Sequence, residues 1–211
     1  MPVEVTVYPL GPLQVNTCLI REGQACAIVD PTCGAAALAR QILQDGGELQ
    51  CLLLTHGHGD HIAGIDEVRS LVPGVPVFCP AGDAHMLTDP QANLSMLVGM
   101  LAQPGPPDRL LTPGQSVSVG PSVWQVLDTA GHTRGGVSYY CAQAGVAIVG
   151  DSLFAGGIGR YDLPGASFRR LRDNVRANLF TLPGETRVIP GHGPETTVQV
   201  EKTTNQFFLL S

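Results

Sequence analysis

The chain has 211 residues, of which 44% are hydrophobic and only 14% charged. That composition supplies a full core and excludes a disordered polyelectrolyte. The formal charge is −6 and Lys202 is the only lysine, which excludes a broad basic surface for nucleic acid or anionic lipid.

Twenty-six glycines and 17 prolines point to many short elements joined by tight turns. Strands are expected at 3–7, 17–20 and 25–29, followed by an amphipathic helix at 35–43 that stops at Gly46-Gly47. A short buried strand at 52–54 leads into a histidine-rich loop and a helix at 62–71. Another strand follows at 77–79, with a helical stretch ending near Pro90. Residues 94–101 are rich in Leu and Met and run into Pro104-Gly105-Pro106-Pro107. They read either as a core helix before a rigid loop or as a wall or flap beside a substrate pocket.

Antiparallel strands are expected at 116–119, 123–127, 137–140 and 146–149. A helix at 167–182 carries Phe168, Leu171, Val175, Leu179 and Leu182 on one stripe, with arginines on its solvated faces. A strand at 187–189 and a helix from residue 198 complete the chain. Strands then a helix, twice over, predict an α+β architecture of two sheets packed face to face with helices outside, as one domain over 1–211.

The six cysteines show no Cys-x-x-Cys spacing, and four lie in or beside apolar strand-like runs. They read as reduced packing residues. The N-terminus carries no signal-peptide pattern, and no apolar run approaches the roughly 18 residues of a membrane span, so a cytoplasmic location and no membrane partner are expected.

The chemistry concentrates elsewhere. Thr55-His56-Gly57-His58-Gly59-Asp60-His61 places three histidines and an aspartate directly after a strand. On a helix His56 and His58 would diverge, whereas a glycine-permitted turn lets them converge on one cation, with Asp60 and His61 pointing towards a second. His132, Asp151 and His192 recur in the same context, each just past a strand and beside a glycine. Asp128, inside its strand, reads as a structural hydrogen-bonding group. His85, in a helical stretch, reads as a surface or structural residue.

This order, Thr-His-x-His-x-Asp-His, Gly-His, Gly-Asp and Gly-His, resembles the metallo-β-lactamase superfamily over nearly the whole chain. Within it the sequence is most similar to the short, single-domain glyoxalase II-like (hydroxyacylglutathione hydrolase-like) enzymes. The closer match lies in 11–16, 150–154, 159–165 and 190–194. The resemblance implies a four-layer αββα sandwich of two mixed sheets. It also implies two divalent metal ions: His56, His58 and His132 on one, Asp60, His61 and His192 on the other, and Asp151 bridging both. Five imidazoles and two carboxylates without a thiolate suit zinc, with iron and manganese as alternatives. The implied reaction is attack of a metal-bridging hydroxide on a glutathione thioester such as S-D-lactoylglutathione. Asp60 would orient that hydroxide as well as ligate, acting as a catalytic residue.

Substrate contacts are expected from Arg160 and Tyr161. Arg160 and Asp162 stand where glyoxalase II carries a Lys and a Tyr that contact glutathione. The partner implied is a small anionic thioester, with no nucleic acid. Ser152 beside Asp151 reads as structural. One rival reading is a single-iron persulfide dioxygenase, a family with Pro-Ala-His where this chain has Pro190-Gly191-His192. A β-lactamase of the dinuclear type is expected to carry cysteine where Asp151 stands. A non-catalytic metal-binding protein is the rival from another class.

Overall fold

A computed structural model describes residues 2–209, so three residues of the expected 1–211 domain lie outside the described ones. The chain enters as an antiparallel meander of β1 (Glu4–Leu10), β2 (Val15–Glu22) and β3 (Ala25–Val29). A crossover through α1 (Ala36–Gln44) sets β4 (Glu48–Leu53) parallel to β3. After α2 (Gly59–Ile62) and α3 (Ile65–Leu71), β5 (Val77–Pro80) and β6 (Arg109–Leu111) add in parallel, giving a six-stranded mixed sheet in chain order.

The second sheet begins with the antiparallel β7 (Ser116–Val119), β8 (Ser122–Asp128), β9 (Val137–Cys141) and β10 (Val146–Gly150). After α4 (Phe168–Asn174) and a π-helical turn at Val175–Leu179, β11 (Arg187–Pro190) lies parallel to β10. The two-residue β12 (Thr196–Thr197) closes the edge, followed by α5 (Val198–Thr204) and α6 (Gln206–Leu209).

Three apolar clusters define the layers. The inner faces of the two sheets meet around Ile20, Leu53, Trp124 and Tyr139. The outer face of the first sheet packs on α1 and α3 through Leu38, Ile42, Ile65 and Val68. The outer face of the second packs on the helix at 168–179 and the C-terminal helices through Leu171, Val175, Leu179 and Phe208. The result is the expected αββα sandwich, in which each sheet hides one face on its partner and the other under helices. Among the described residues no helix is long and apolar enough to cross a membrane.

Three local expectations are corrected. The helix foreseen at 62–71 is interrupted, because Gly64 lies against the Thr32 carbonyl where no Cβ fits. The helix at 167–182 changes to a π turn, matching a buried stripe repeated every fourth residue at Leu171, Val175 and Leu179. The core helix foreseen at 94–101 is absent. Only a single 3₁₀ turn forms at Ser95–Val98, between Leu94 and Gly99 in the left-handed region. Leu97 is 79% exposed and Leu101 78%. Here the Asn93 and Ser95 side chains tie the two ends of the segment together as a loop: Asn93 Nδ2 donates to the Met86 and Ala102 carbonyls, and Ser95 Oγ accepts from Ala102 N.

All six cysteines are free, five of them buried. The sole lysine, Lys202, donates to the Phe180 carbonyl at 3.1 Å.

Candidate metal centre

The strands β3, β4, β8, β10 and β11 end on one rim of the sandwich, and the ligand-type residues follow directly after them. Backbone bonds fix that rim. Between the sheets Val137 N donates to the Thr55 carbonyl at 2.9 Å, and within the second sheet Gly191 N donates to the Gly150 carbonyl at 2.8 Å. The buried Asn16 donates Nδ2 to the Pro190 and Gly193 carbonyls and its N–H to Gly191, tying β2 to the loop that carries His192. This gives the 11–16 stretch singled out in the sequence a structural task.

Two groups of donors converge here. His56, His58 and His132 each offer a ring nitrogen within 4.8 Å of the others, and so do Asp60, His61 and His192 with their own donors. His58 Nδ1 lies 2.9 Å from His132 Nε2. Asp151 sits between the groups: Oδ2 is 3.5 Å from His132 Nε2 and 3.8 Å from His192 Nε2, while Oδ1 is 3.5 Å from His61 Nε2. All seven residues predicted from the sequence are therefore brought together.

The opposite ring nitrogens are committed to hydrogen bonds that assign the tautomers. His61 Nδ1–H donates to Asp30 Oδ2 at 2.9 Å, His132 Nδ1–H to the Arg160 carbonyl at 2.8 Å, and His192 Nδ1–H to the Leu13 carbonyl at 3.0 Å. The Thr55 hydroxyl donates to Asp30 Oδ2, so its lone pairs face His56 Nδ1 at 3.0 Å. Four Nε2 lone pairs are thereby aimed into the centre, with His58 Nδ1 as the fifth nitrogen donor.

Inside, His56 Nε2, His61 Nε2 and Asp151 Oδ1 are buried without any hydrogen-bond partner. Leaving three such atoms unpaired is costly, and cations bound in the two donor groups would satisfy all three. Five imidazoles and two carboxylates fit a pair of borderline or hard divalent ions such as zinc, iron or manganese.

The electrostatics divide along the same line. Burial, then the neighbouring His61 and His58, holds His56 well below its ordinary pKa. Burial and His132 push His58 down to about 3. Burial also works against protonating His61, but Asp60, Asp151 and Asp30 outweigh it and push His61 up to about 10. His192 is raised too, against its burial, by Asp60 and Asp151. Asp60 lies below the usual carboxylate range despite burial, because His61 and His192 face it. His56 and His58 thus present neutral imidazoles, whereas Asp60 faces His61 and His192 protons that a cation would replace.

Two buried carboxylates escaped the sequence reading. Asp30 accepts from Thr55 N at 2.7 Å, Thr55 Oγ1 at 2.6 Å and His61 Nδ1, so it orients donors rather than adding one. Its one local signal was an aspartate directly after a strand, without the neighbouring glycine of Asp151. Asp83 accepts from Gly57 N at 3.2 Å, Thr133 Oγ1 at 2.6 Å and Gly135 N at 2.7 Å, pinning the His56–His58 turn to the His132 loop.

The other expected residues fall as follows. Asp128 is structural, accepting from Ala130 N and Asn174 Nδ2 at 3.0 Å each, and Ser152 Oγ donates to the Val149 carbonyl. His85 is exposed. Arg160 edges the cavity over the centre, its guanidinium paired with Asp162 at 2.9 and 3.0 Å. Tyr161 packs against Phe168, ring centroids 5.0 Å apart with the planes inclined by 57°, and does not line that cavity. The cavity encloses about 260 Å³ above His58, Asp60, His132 and Asp151.

A family model described as the metallo-beta-lactamase superfamily matches residues 10–192. The probable metallo-hydrolase YqgX of Bacillus subtilis is 38% identical over 200 residues, covering 94% of each chain. The hydroxyacylglutathione hydrolase GloC of Haemophilus influenzae is 30% identical over 208 residues, covering 97% of this chain and 98% of its own. Among solved structures, the BLEG-1 B3 metallo-beta-lactamase superposes with a TM-score of 0.91 at 35% identity, over 97% of this chain and 99% of the other. TTHA1623 in a di-iron-bound form gives 0.86 at 35% identity, over 96% and 100%. The rim of strand ends, its histidine and aspartate pattern and these matches agree: the chain belongs to the metallo-beta-lactamase superfamily.

Proposed function

We propose that this metal-dependent hydrolase cleaves a glutathione thioester, such as S-D-lactoylglutathione, at a dinuclear centre. The observation that carries the reading is Asp151, whose two carboxylate oxygens face donors of both groups at 3.5–3.8 Å. In this reading His56, His58 and His132 hold one ion, Asp60, His61 and His192 the other, and Asp151 both. Two divalent ions, when bound, supply a water of lowered pKa and a Lewis acid for the acyl oxygen. Zinc suits the donor set, and the di-iron-bound form of TTHA1623 makes iron the ion to test beside it.

The chain's own residues do the rest. Asp60 Oδ2 lies 3.3 Å from His192 Nε2 and 3.7 Å from His61 Nε2, where it would accept a hydrogen bond from an attacking water and orient it. Arg160 at the rim offers a cation to a carboxylate of the thiol arm, although Asp162 already offsets part of its charge. A thiolate leaves without needing a strong general acid. No further nucleophile is needed, in keeping with the structural role of Ser152.

The similarity to GloC supports the thioester, and that to BLEG-1 favours a β-lactam as the second reading. A panel of S-D-lactoylglutathione, other thioesters and β-lactams, run on one metal-loaded sample, separates them. Turnover of the glutathione thioester is expected to exceed that of any lactam. Lactam hydrolysis alone would replace the first reading with the second. Oxygen consumption with glutathione persulfide at one iron per chain would replace both with the dioxygenase.

A further inference from the structure

The cavity over the metal centre is polar at its floor, at Arg160 and at Asn93, whose amide is committed to the Met86 and Ala102 carbonyls. The rest of its wall is leucine: Leu13, Leu94, Leu97 and Leu163. Leu13 is 45% exposed and Leu97 79%. Branched aliphatic side chains held open to water beside a reaction centre gain nothing from the fold itself, and hydrophobic burial awaits whatever enters.

The loop that carries Leu94 and Leu97 is built to hold this position. Its base is fastened by Asn93, whose Nδ2 bonds the Met86 and Ala102 carbonyls at 2.8 Å each, and by Ser95 Oγ, which accepts from Ala102 N. Leu94 takes a left-handed φ of +64°, a conformation that favours glycine. Gly59, at the start of α2, packs directly against Ser95, so the loop base is in contact with the Asp60–His61 turn. A bulky residue held in a strained conformation next to a donor cluster points to function rather than to packing.

We propose that the four leucines form an acyl pocket, so that the preferred substrate carries an aliphatic acyl group of several carbons, with Leu97 as its specificity-determining wall. This rests on the acyl-hydrolase reading above and narrows it. Glutathione itself carries two carboxylates, an ammonium group and two amides, for which leucine is the wrong neighbour and the Arg160 rim the right one. The acyl group is the part of the substrate that the leucines suit. Each methylene buried between them strengthens binding about fourfold.

The test uses two series on the metal-loaded protein. The first is direct calorimetric binding of straight-chain carboxylates from propanoate to hexanoate, the product acids of any such acyl transfer to water. The second is kcat/KM for glutathione thioesters of the same acids. Affinity and kcat/KM are expected to rise about fourfold per methylene. Leu97→Ser is expected to reduce the hexanoyl-to-propanoyl ratio at least tenfold in both series at unchanged metal content, and Leu163→Ser serves as a second wall variant. Leu97 is largely exposed, so its replacement leaves folding intact. A flat wild-type carboxylate series, or one that neither variant alters, overturns the acyl pocket. Thioester turnover without a chain-length preference overturns it while leaving the thioester reading standing. A steep carboxylate series without any thioester turnover keeps the pocket and removes the glutathione thioester.

Discussion

Asp30 accepts the Nδ1 proton of His61 at 2.9 Å while also accepting the Thr55 N–H and hydroxyl, so one buried carboxylate sets the orientation of two neighbouring imidazoles, His61 directly and His56 through Thr55. Asp30→Asn replaces an acceptor oxygen with a donor facing groups that already donate. Metal affinity at the Asp60–His61–His192 group is expected to fall about 10- to 100-fold. The chain should also lose about 1–3 kcal/mol of stability from the unmatched hydrogen bonds. Competition titration against a chromophoric chelator measures the first, and denaturant unfolding the second. An unchanged affinity would mean that His61 needs no such orientation.

Gly191 offers a more local test. A Cβ there would strike the Asp151 carboxylate and come within 2.8 Å of His61 Cε1. Gly191→Ala is therefore expected to push Asp151 out from between the two donor groups and lower the bound metal from two ions to about one per chain. Elemental analysis of the purified variant decides the point. Two ions retained at wild-type affinity would show that Asp151 does not need this close approach.

Asp83 joins the His56–His58 turn to the His132 loop with three donors and touches no metal donor. Burial raises its pKa, against the pull of Thr133, Gly135 and Gly57. Asp83→Asn turns an acceptor into a donor among donors and should cost about 1–3 kcal/mol. It should also weaken binding at the His56–His58–His132 group more than at the other. Stepwise metal titration, watching which ion leaves first, reads that difference.

The pH dependence follows from His61. In the metal-free chain its pKa is pushed up to about 10, so it carries a proton at neutral pH. A ligating imidazole must be neutral, so each ion bound at that group displaces this proton. Apparent affinity is therefore expected to rise with pH, by up to about tenfold per unit below pH 10. Calorimetry in buffers of different ionisation heat should count about one proton released from His61. No proton release, or an affinity that falls as pH rises, contradicts this charge arrangement.

Much of the centre was legible because its ligands come in runs that the chain order keeps together. His56, His58, Asp60 and His61 share one turn, and His132, Asp151 and His192 each follow a strand and a glycine. The residues that orient them were not legible. Asp30 and His61 are 31 positions apart, and Asp83 and Gly135 are 52. Nothing local to Asp30 separates it from an ordinary turn aspartate before Pro31. Residues 94–101 admitted two readings. Their composition suits a core helix, which is absent, but Asn93 and Ser95 close the segment on Ala102 as a loop that leaves Leu97 exposed and lining the cavity with Leu94, as the wall reading expected. The short strands β6 and β12 went unseen because three and two residues show no alternation, and pairing with β5 and β11 defines them.

The central claim is that both donor groups, joined by Asp151, act as one hydrolytic centre. The direct measurement is S-D-lactoylglutathione hydrolysis by metal-free protein titrated with zinc, and in parallel with iron(II), with bound metal measured on the same samples. Turnover is expected to rise until about two ions are bound per chain and to stay flat beyond that. Full turnover with a single ion bound, or none at two ions, would contradict it.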